Sequence, residues 1–191
     1  MASTGKQPSP KQAVDFFTLI QKLKITKRTG WVKRQVEAPE SVADHMYRMG
    51  MMALVATDSN VDVSKCVKMA LIHDVAESLV GDITPYCGVS EEEKHQLESN
   101  AIAEIKETLG NDTHAADEIE EIWKEYESAT TPEARFVKDL DKLEMVLQAH
   151  EYESDQGKDL SKFFKSTEGR FQTDTGKAWA AEVVSRRNKQ K

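Results

Sequence analysis

Residues 63–81 read VSKCVKMALIHDVAESLVG, and this stretch decides the fold of the chain. Its first half carries apolar residues at the i, i+3, i+4, i+7 spacing of a helix with one buried face, namely Val63, Cys66, Val67 and Ala70. One turn further, the same face meets Asp74 and Glu77, with His73 at its edge. A buried unpaired charge is very costly. Three ionisable groups at the end of an apolar stripe therefore predict a cation that compensates them.

The segments on both sides of this stretch repeat the helical pattern. We predict helices over residues 14–26, 41–56, 62–79, 90–109, 115–127, 131–153, 160–166 and 175–187. Ser41 and Thr131 are residue types that cap helix N-termini, and Gly81 is typical of a helix end. Residues 31–36 are predicted to form a short extended connection. No strand alternation is long enough to support a sheet, so the expected fold class is all-α.

Length and composition limit the possible classes of protein. The 191 residues suffice for one compact domain, and we predict that domain over residues 12–191, after a disordered leader over residues 1–11. The net charge of −7 argues against a protein that binds a nucleic-acid backbone. Cys66 and Cys87 form no CxxC pair and no disulfide framework, which favours a reducing, cytoplasmic compartment. No apolar run approaches membrane-spanning length.

A metal site needs ligands from outside residues 63–81. His45 lies within the apolar face of its predicted helix, where an imidazole would be buried. Imidazole and carboxylate together suit a first-row divalent ion. A fourth ligand could come from the helix that contains Asp139 and Asp141. These two lie on opposite flanks of an apolar stripe, so helical periodicity does not choose between them, and a single ion can hardly take both.

Longer strings around these residues carry a family resemblance. They are residues 28–32 (RTGWV), 39–49 (PESVADHMYRM) and 73–83 (HDVAESLVGDI). With an isolated His, then a His-Asp pair, then a distant Asp on successive helices, the chain resembles the HD-domain phosphohydrolase superfamily and, within it, the 5′-deoxynucleotidases. The resemblance covers roughly residues 16–152. It implies a single HD-domain helical bundle with a metal centre in its core.

The resemblance implies a ligand set and a cofactor. The family's metal ligands match His45, His73, Asp74 and Asp141. Asp141 is preferred to its neighbour because the family's Asp follows an apolar residue and precedes a short helical continuation, as in residues 140–143 (LDKL). The cofactor implied is a divalent ion of the Mn, Co, Fe or Zn type.

Other positions are implied to act on the substrate. Glu77 matches the family's catalytic carboxylate, and Asp82 matches a second acidic position that is important for activity. These two carboxylates could also hold a second, weaker ion such as Mg²⁺. Arg28 and Trp31 match substrate-binding positions, although two residues separate them here, whereas Arg and Trp are adjacent in bacterial relatives. Trp31 is expected either to exclude a ribose hydroxyl at C2′ or to anchor the core.

The chemistry of this donor set supports hydrolysis of a phosphate ester. Two imidazoles and two carboxylates around a divalent ion sum to zero charge, so a phosphate dianion can approach without repulsion. We expect a metal-dependent phosphomonoesterase that converts deoxynucleoside 5′-monophosphates to deoxynucleoside and phosphate. The alternatives are another HD-type nucleotide phosphohydrolase, such as a cyclic-nucleotide phosphodiesterase, and a non-catalytic nucleotide-binding protein. The resemblance also implies a homodimer, with no nucleic-acid polymer and no membrane as partner.

Overall fold

The computed structural model describes residues 5–56 and 60–189. Within them, the helices are α1 (Pro10–Ile20), α2 (Thr29–Val32), α3 (Val42–Val55), α4 (Val63–Ile72), α5 (Glu77–Val80), α6 (Glu91–Leu109), α7 (His114–Ser128), α8 (Pro132–Gln156), α9 (Ser161–Thr167) and α10 (Asp174–Lys189), with a 3-10 helix at Gln21–Lys24. The β pairing found in these residues consists of isolated bridges, Lys6 with Thr113 and Lys27 with Ser41. The all-α prediction is confirmed. No helix among them combines the length and apolarity needed to cross a bilayer.

Two large apolar clusters meet at the C-terminal end of α4. One joins α3, α4, α7, α8 and α10 through buried side chains that include Met49, Met69 and Phe136. The other packs α6 and α7 against the start of α3 and includes Met46 and Ile105. Ile72, the last residue of α4, packs against both clusters. The residues that follow it are therefore held from two sides.

The prediction of one continuous helix over residues 62–79 is wrong, because α4 ends at Ile72 and a separate helix, α5, begins at Glu77. The chain then tightens into i, i+3 hydrogen bonds, with the Glu77 N–H donating to the Asp74 carbonyl oxygen at 3.0 Å, before α5 begins. In a continuous α-helix the Ala70 carbonyl would accept from residue 74. Here that carbonyl oxygen lies 2.9 Å from Nδ1 of His73. The side chain of His73 thus takes part in ending the helix, and Gly81 ends α5 at a φ of 75°.

The extended connection predicted over residues 31–36 is also wrong. Residues 29–32 form the short helix α2, and the chain turns back at Gln35 and Ala38, both of which have positive φ. Tertiary packing explains this conformation, since the Trp31 ring is buried against the rings of Tyr152 and Phe163. A connection whose central side chain must be buried cannot stay extended on the surface.

The caps proposed for the main helices are present. Ser41 forms a capping box with Asp44 at the start of α3, and Thr131 caps α8 just before Pro132. The predicted leader over residues 1–11 stays a prediction for Met1–Thr4, which lie outside the described residues. The remainder differs from it: the Lys6 ammonium lies 2.9 Å from a carboxylate oxygen of Asp112, and α1 already begins at Pro10.

Candidate metal centre

Four predicted ligands from α3, the end of α4 and α8 come together in the core. His45 lies on the buried face of α3, and its Nε2 is 3.3 Å from Oδ1 of Asp141 on α8. Asp74 places its Oδ2 3.1 Å from Nε2 of His73 and 3.9 Å from Nε2 of His45. Two ligand atoms bound at about 2.1 Å to one ion, at tetrahedral or right angles, are about 3.0–3.4 Å apart. The 3.1 and 3.3 Å distances fit a shared ion, and His45, His73 and Asp141 each place a ligand atom within 4.8 Å of the others. At 3.9 Å, Asp74 lies somewhat farther from His45 than the spacing expected for one ion.

The imidazoles leave the correct nitrogens available for a metal. Nδ1 of His45 lies 2.6 Å from Oε2 of Glu144, and Nδ1 of His73 lies 2.9 Å from the Ala70 carbonyl oxygen. Both acceptors require a proton on Nδ1, so Nε2 of each ring carries the lone pair when the imidazole is neutral, as it is when it binds a metal. The two Nε2 atoms are buried and have no hydrogen-bond partner among the residues that the structure describes. Because a buried polar atom without a partner is costly, their convergence on the Asp141 carboxylate fits a bound cation.

The local charge also fits a cation. Burial and the nearby Arg28 both lower the pKa of His45, but the carboxylates of Asp141 and Glu144 outweigh them and raise it to about 9. Burial alone would raise the pKa of Asp74, yet His73 and Arg28 hold it below the usual range. Without a metal, the carboxylates in this centre thus draw positive charge onto an imidazole.

The structure separates the two aspartates of α8. Asp141 faces His45, and its Oδ2 accepts a hydrogen bond from the Tyr126 hydroxyl at 2.9 Å. Asp139 is fully buried on the other flank, where its Oδ2 accepts from the backbone N–H groups of Gln172 and Thr173 at 2.8 and 2.7 Å. Asp139 therefore ties α8 to the chain before α10 and is not available to an ion at His45.

Glu77 and Asp82 lie on the next part of the chain but differ in surroundings. Glu77 is buried at the first position of α5, and within residues 5–56 and 60–189 its Oε2 has no hydrogen-bond partner. Burial, with the negative charges of Asp74 and Asp82, raises the pKa of Glu77 well above its usual value. Asp82 instead accepts a hydrogen bond from the Thr29 N–H at 2.6 Å, and its backbone carbonyl accepts from the Thr29 hydroxyl. It therefore holds the segment that presents Arg28.

Arg28 and Trp31 occupy two sides of the same short segment. Nη1 of Arg28 lies 3.3 Å from Oδ2 of Asp74, which places a guanidinium at the edge of the ligand cluster. Trp31 is only 2% exposed, and its Nε1 donates to Oε1 of Glu40 at 2.8 Å. The structure therefore gives Trp31 a core-anchoring role, while one edge of its ring lines a cleft next to Arg28.

Glu144 is the residue that sequence reasoning missed. It is fully buried, holds Nδ1 of His45 through one carboxylate oxygen, and receives Nε of Arg48 on the other at 2.7 Å. A carboxylate behind a ligating His fixes the tautomer and orientation of the ring. The only signal in the sequence was its position one turn after Asp141, on a helix where many other charges are exposed. Arg48 also pairs with Glu151, so it forms structural ion pairs.

Comparisons with known proteins identify the family of the chain. The HD domain family profile matches residues 20–182. The chain is 51% identical over 160 residues to 5′-deoxynucleotidase HDDC2 from Danio rerio, covering 83% of this chain and 79% of that protein. It is 45% identical over 190 residues to 5′-deoxynucleotidase HDDC2 from Mus musculus, covering 98% and 93% of the two chains.

The fold is also shared with a solved structure. A conserved hypothetical protein from Pyrococcus furiosus superposes with a TM-score of 0.74 at 32% identity, covering 92% of this chain and 99% of that one. The profile match spans well over half of the chain and includes the adjacent His73 and Asp74. The chain therefore belongs to the HD domain family.

Proposed function

We propose that this protein is a metal-dependent 5′-deoxynucleotidase that hydrolyses deoxynucleoside 5′-monophosphates to deoxynucleoside and phosphate. The observation that carries this proposal is the convergence of two buried, unpartnered imidazole nitrogens on the Asp74 and Asp141 carboxylates. It occurs in a chain about half identical to proteins named 5′-deoxynucleotidases. The small nucleotide substrate is inferred from those names.

The metal would be held by His45, His73, Asp74 and Asp141. Nitrogen and oxygen donors of this kind suit a divalent Mn, Co, Fe or Zn ion. When bound, the ion supplies a Lewis acid for a phosphoryl oxygen and lowers the pKa of a bound water. Arg28 lies at the edge of the cluster, where its guanidinium can receive the substrate phosphate.

Glu77 is our candidate for the proton-transfer step. Its carboxyl group is buried one turn beyond Asp74, and Oε2 has no hydrogen-bond partner in the described part of the chain. A carboxyl in that position can exchange a proton with the attacking water or with the leaving 5′-oxygen. Asp82 acts with it by holding the Thr29 backbone and so the position of Arg28. A second ion such as Mg²⁺ between Glu77 and Asp82 is the alternative use of these carboxylates.

The proposed activity can be tested with a panel of nucleotides. The purified protein would be freed of metal with a chelator and reloaded with Mn²⁺ or Co²⁺. We expect phosphate release from deoxynucleoside 5′-monophosphates in the reloaded protein, and much less from ribonucleotides. Conversion of a 3′,5′-cyclic nucleotide without phosphate release would favour the phosphodiesterase alternative. Nucleotide binding without any product would favour the non-catalytic alternative.

We infer that the protein forms a homodimer through an apolar surface on α1, α3 and α4. Tyr47, Met51 and Leu54 form an exposed stripe on α3, and Phe17 and Leu71 flank it. Tyr47 and Phe17 are 66% and 61% exposed, which is unusual for neighbouring aromatic residues on a monomer surface. Light scattering should give twice the chain mass, and Tyr47→Asp should reduce it to the monomer.

A cytoplasmic location is our inference from the two free thiols, Cys66 and Cys87.

A further inference from the structure

A cavity of about 250 Å³ lies beside the metal centre and is not needed to hold the ion. It is bounded by α2, by the loop that follows α5, and by α9. Its volume is close to the lower end for small-molecule pockets in proteins, about 300 Å³. The cavity is thus sized for one small ring system and not for a polymer.

The cavity joins directly to the proposed phosphate position. Arg28 lines it, and the same side chain reaches Asp74 at 3.3 Å. On α8, Met145 lines the cavity one helical turn after Asp141, a rise of about 6 Å. A phosphate ester held between the ion and Arg28 would therefore direct its attached group into this space.

The walls of the cavity combine flat apolar surfaces with hydrogen-bond donors. Tyr86 and Phe163 are the aromatic walls, and Phe163 is itself fixed by the Trp31 ring, with centroids 4.4 Å apart. Lys162 and Arg170 also line the cavity, and both are solvent-exposed. Their side chains are donors only, so they suit ring oxygens and nitrogens that accept hydrogen bonds. With Arg28 and Arg34, four basic side chains line this one cavity, although the net charge of the chain is −7.

We propose that α9 completes a base-binding pocket, in which the nucleobase lies against Tyr86 and Phe163 and receives hydrogen bonds from Lys162 and Arg170. This inference rests on the proposed function, because it assigns the leaving nucleoside of the same substrate to the cavity. It makes Lys162 and Arg170 specificity residues, although they lie after the residues that hold the metal and outside every motif singled out in the sequence.

The test compares two phosphate esters and two lysines of α9. dGMP carries a base whose O6 and N7 both accept hydrogen bonds, whereas 2-deoxyribose 5-phosphate has no base. Lys162→Met should lower kcat/KM for dGMP about tenfold more than it lowers kcat/KM for 2-deoxyribose 5-phosphate. Lys165→Met is the matched control, since Lys165 lines a different groove, and it should lower neither value. Tyr86→Ala should act like Lys162→Met through lost stacking.

The remaining outcomes distinguish a failure of the base pocket from a failure of the proposed 5′-deoxynucleotidase activity. Equal losses for both substrates in Lys162→Met, or no loss for either, would overturn the base pocket. If the wild-type protein hydrolyses neither ester, the proposed function fails, and binding of deoxyguanosine by equilibrium dialysis then tests the pocket alone. Weaker binding in Lys162→Met but not in Lys165→Met would support it. Equal binding in the two variants would overturn it.

Discussion

At the scale of single residues, the centre depends on which atom of each side chain is already used. In both His45 and His73, Nδ1 is hydrogen-bonded, to the Glu144 carboxylate and to the Ala70 carbonyl oxygen respectively. The Nε2 atoms of both rings therefore remain available at the ligand cluster. Glu77 has an unpartnered oxygen in that region, whereas Asp139 has none to offer because backbone N–H groups occupy it. From residue type alone, the carboxylates of Glu77 and Asp139 could not have been distinguished.

Replacing Glu144 with Gln should weaken metal binding without removing a ligand. The amide can no longer act as the charged acceptor behind Nδ1 of His45, so the ring loses part of its fixed orientation. Loss of such a partner typically costs about 10–100-fold in metal affinity. Chelator competition would measure the dissociation constant. Glu151→Gln, which alters an ion pair of Arg48 but leaves the carboxylate behind His45 in place, is the control, and an unchanged metal affinity in Glu144→Gln would contradict this role.

Glu77→Gln should separate metal binding from turnover. The variant keeps the shape of the side chain and all four proposed ligands, so metal content and thermal stability should stay close to wild type. Removal of a general acid–base group typically lowers the rate by about 10²–10⁴-fold. The measurement is kcat on dAMP at full metal occupancy, with the exposed Glu92→Gln as control. A kcat near the wild-type value would remove Glu77 from the mechanism.

At the scale of elements, two short segments, the end of α4 and α2, position the side chains of the site. The end of α4 presents adjacent His73 and Asp74 to one centre because the helix tightens there and does not run on as predicted. The α2 segment is held at one end by Asp82 and at the other by burial of Trp31. Both segments are next to the cleft, so small shifts in either would move Arg28 relative to the metal.

Trp31 should affect both stability and sugar selectivity, and two variants can separate the effects. Trp31→Ala removes a buried ring and should destabilise the fold by about 3–5 kcal/mol. Trp31→Phe keeps much of the packing but shortens the edge that lines the cleft. We expect it to stay folded and to lower the ratio of kcat/KM for dAMP over AMP severalfold, within the roughly 1–3 kcal/mol that a packing contact can supply. A folded Trp31→Phe protein with an unchanged ratio would make Trp31 a core anchor only.

At the scale of the whole molecule, the metal centre lies where the packed helices meet. Ligands come from α3, the end of α4 and α8, and these three helices also build the larger apolar cluster. An ion bound there would link helices that are far apart in the sequence. Without it, the buried carboxylates lose part of the positive charge that compensates them.

Metal removal should therefore lower the melting temperature of the whole domain. An ion present at 1,000 times its dissociation constant stabilises the folded state by about 4 kcal/mol. For a domain of this size, that corresponds to roughly 8–16 °C. Scanning calorimetry with and without chelator, followed by Mn²⁺, would measure the shift. His73→Ala should lose most of the response and His150→Ala, outside the centre, should keep it; an equal response in both would contradict the assignment of His73.

The sequence by itself determined the all-α class, most helix ends and the family, because these depend on local signals. Apolar spacing, caps such as Ser41 and Thr131, and strings of adjacent residues act over a few positions along the chain. The predictions were wrong where contacts with residues distant in the sequence determine the local conformation. For example, residues 31–36 were predicted to be extended, but Trp31 is buried against Tyr152 and its segment forms the helix α2.

Helical periodicity left Asp139 and Asp141 open, and only the family resemblance preferred Asp141; the tertiary structure supplies the physical reason, because the flank of α8 that faces His45 carries Asp141. The tertiary structure alone decided the role of Glu144 and the joining of α9 to the cleft. In each case the contact links residues more than 90 positions apart or belongs to a cavity between separate helices. Helical periodicity describes one helix at a time. The physical reason is therefore that the relative rotation of packed helices, which no local pattern contains, selects the side chains that meet.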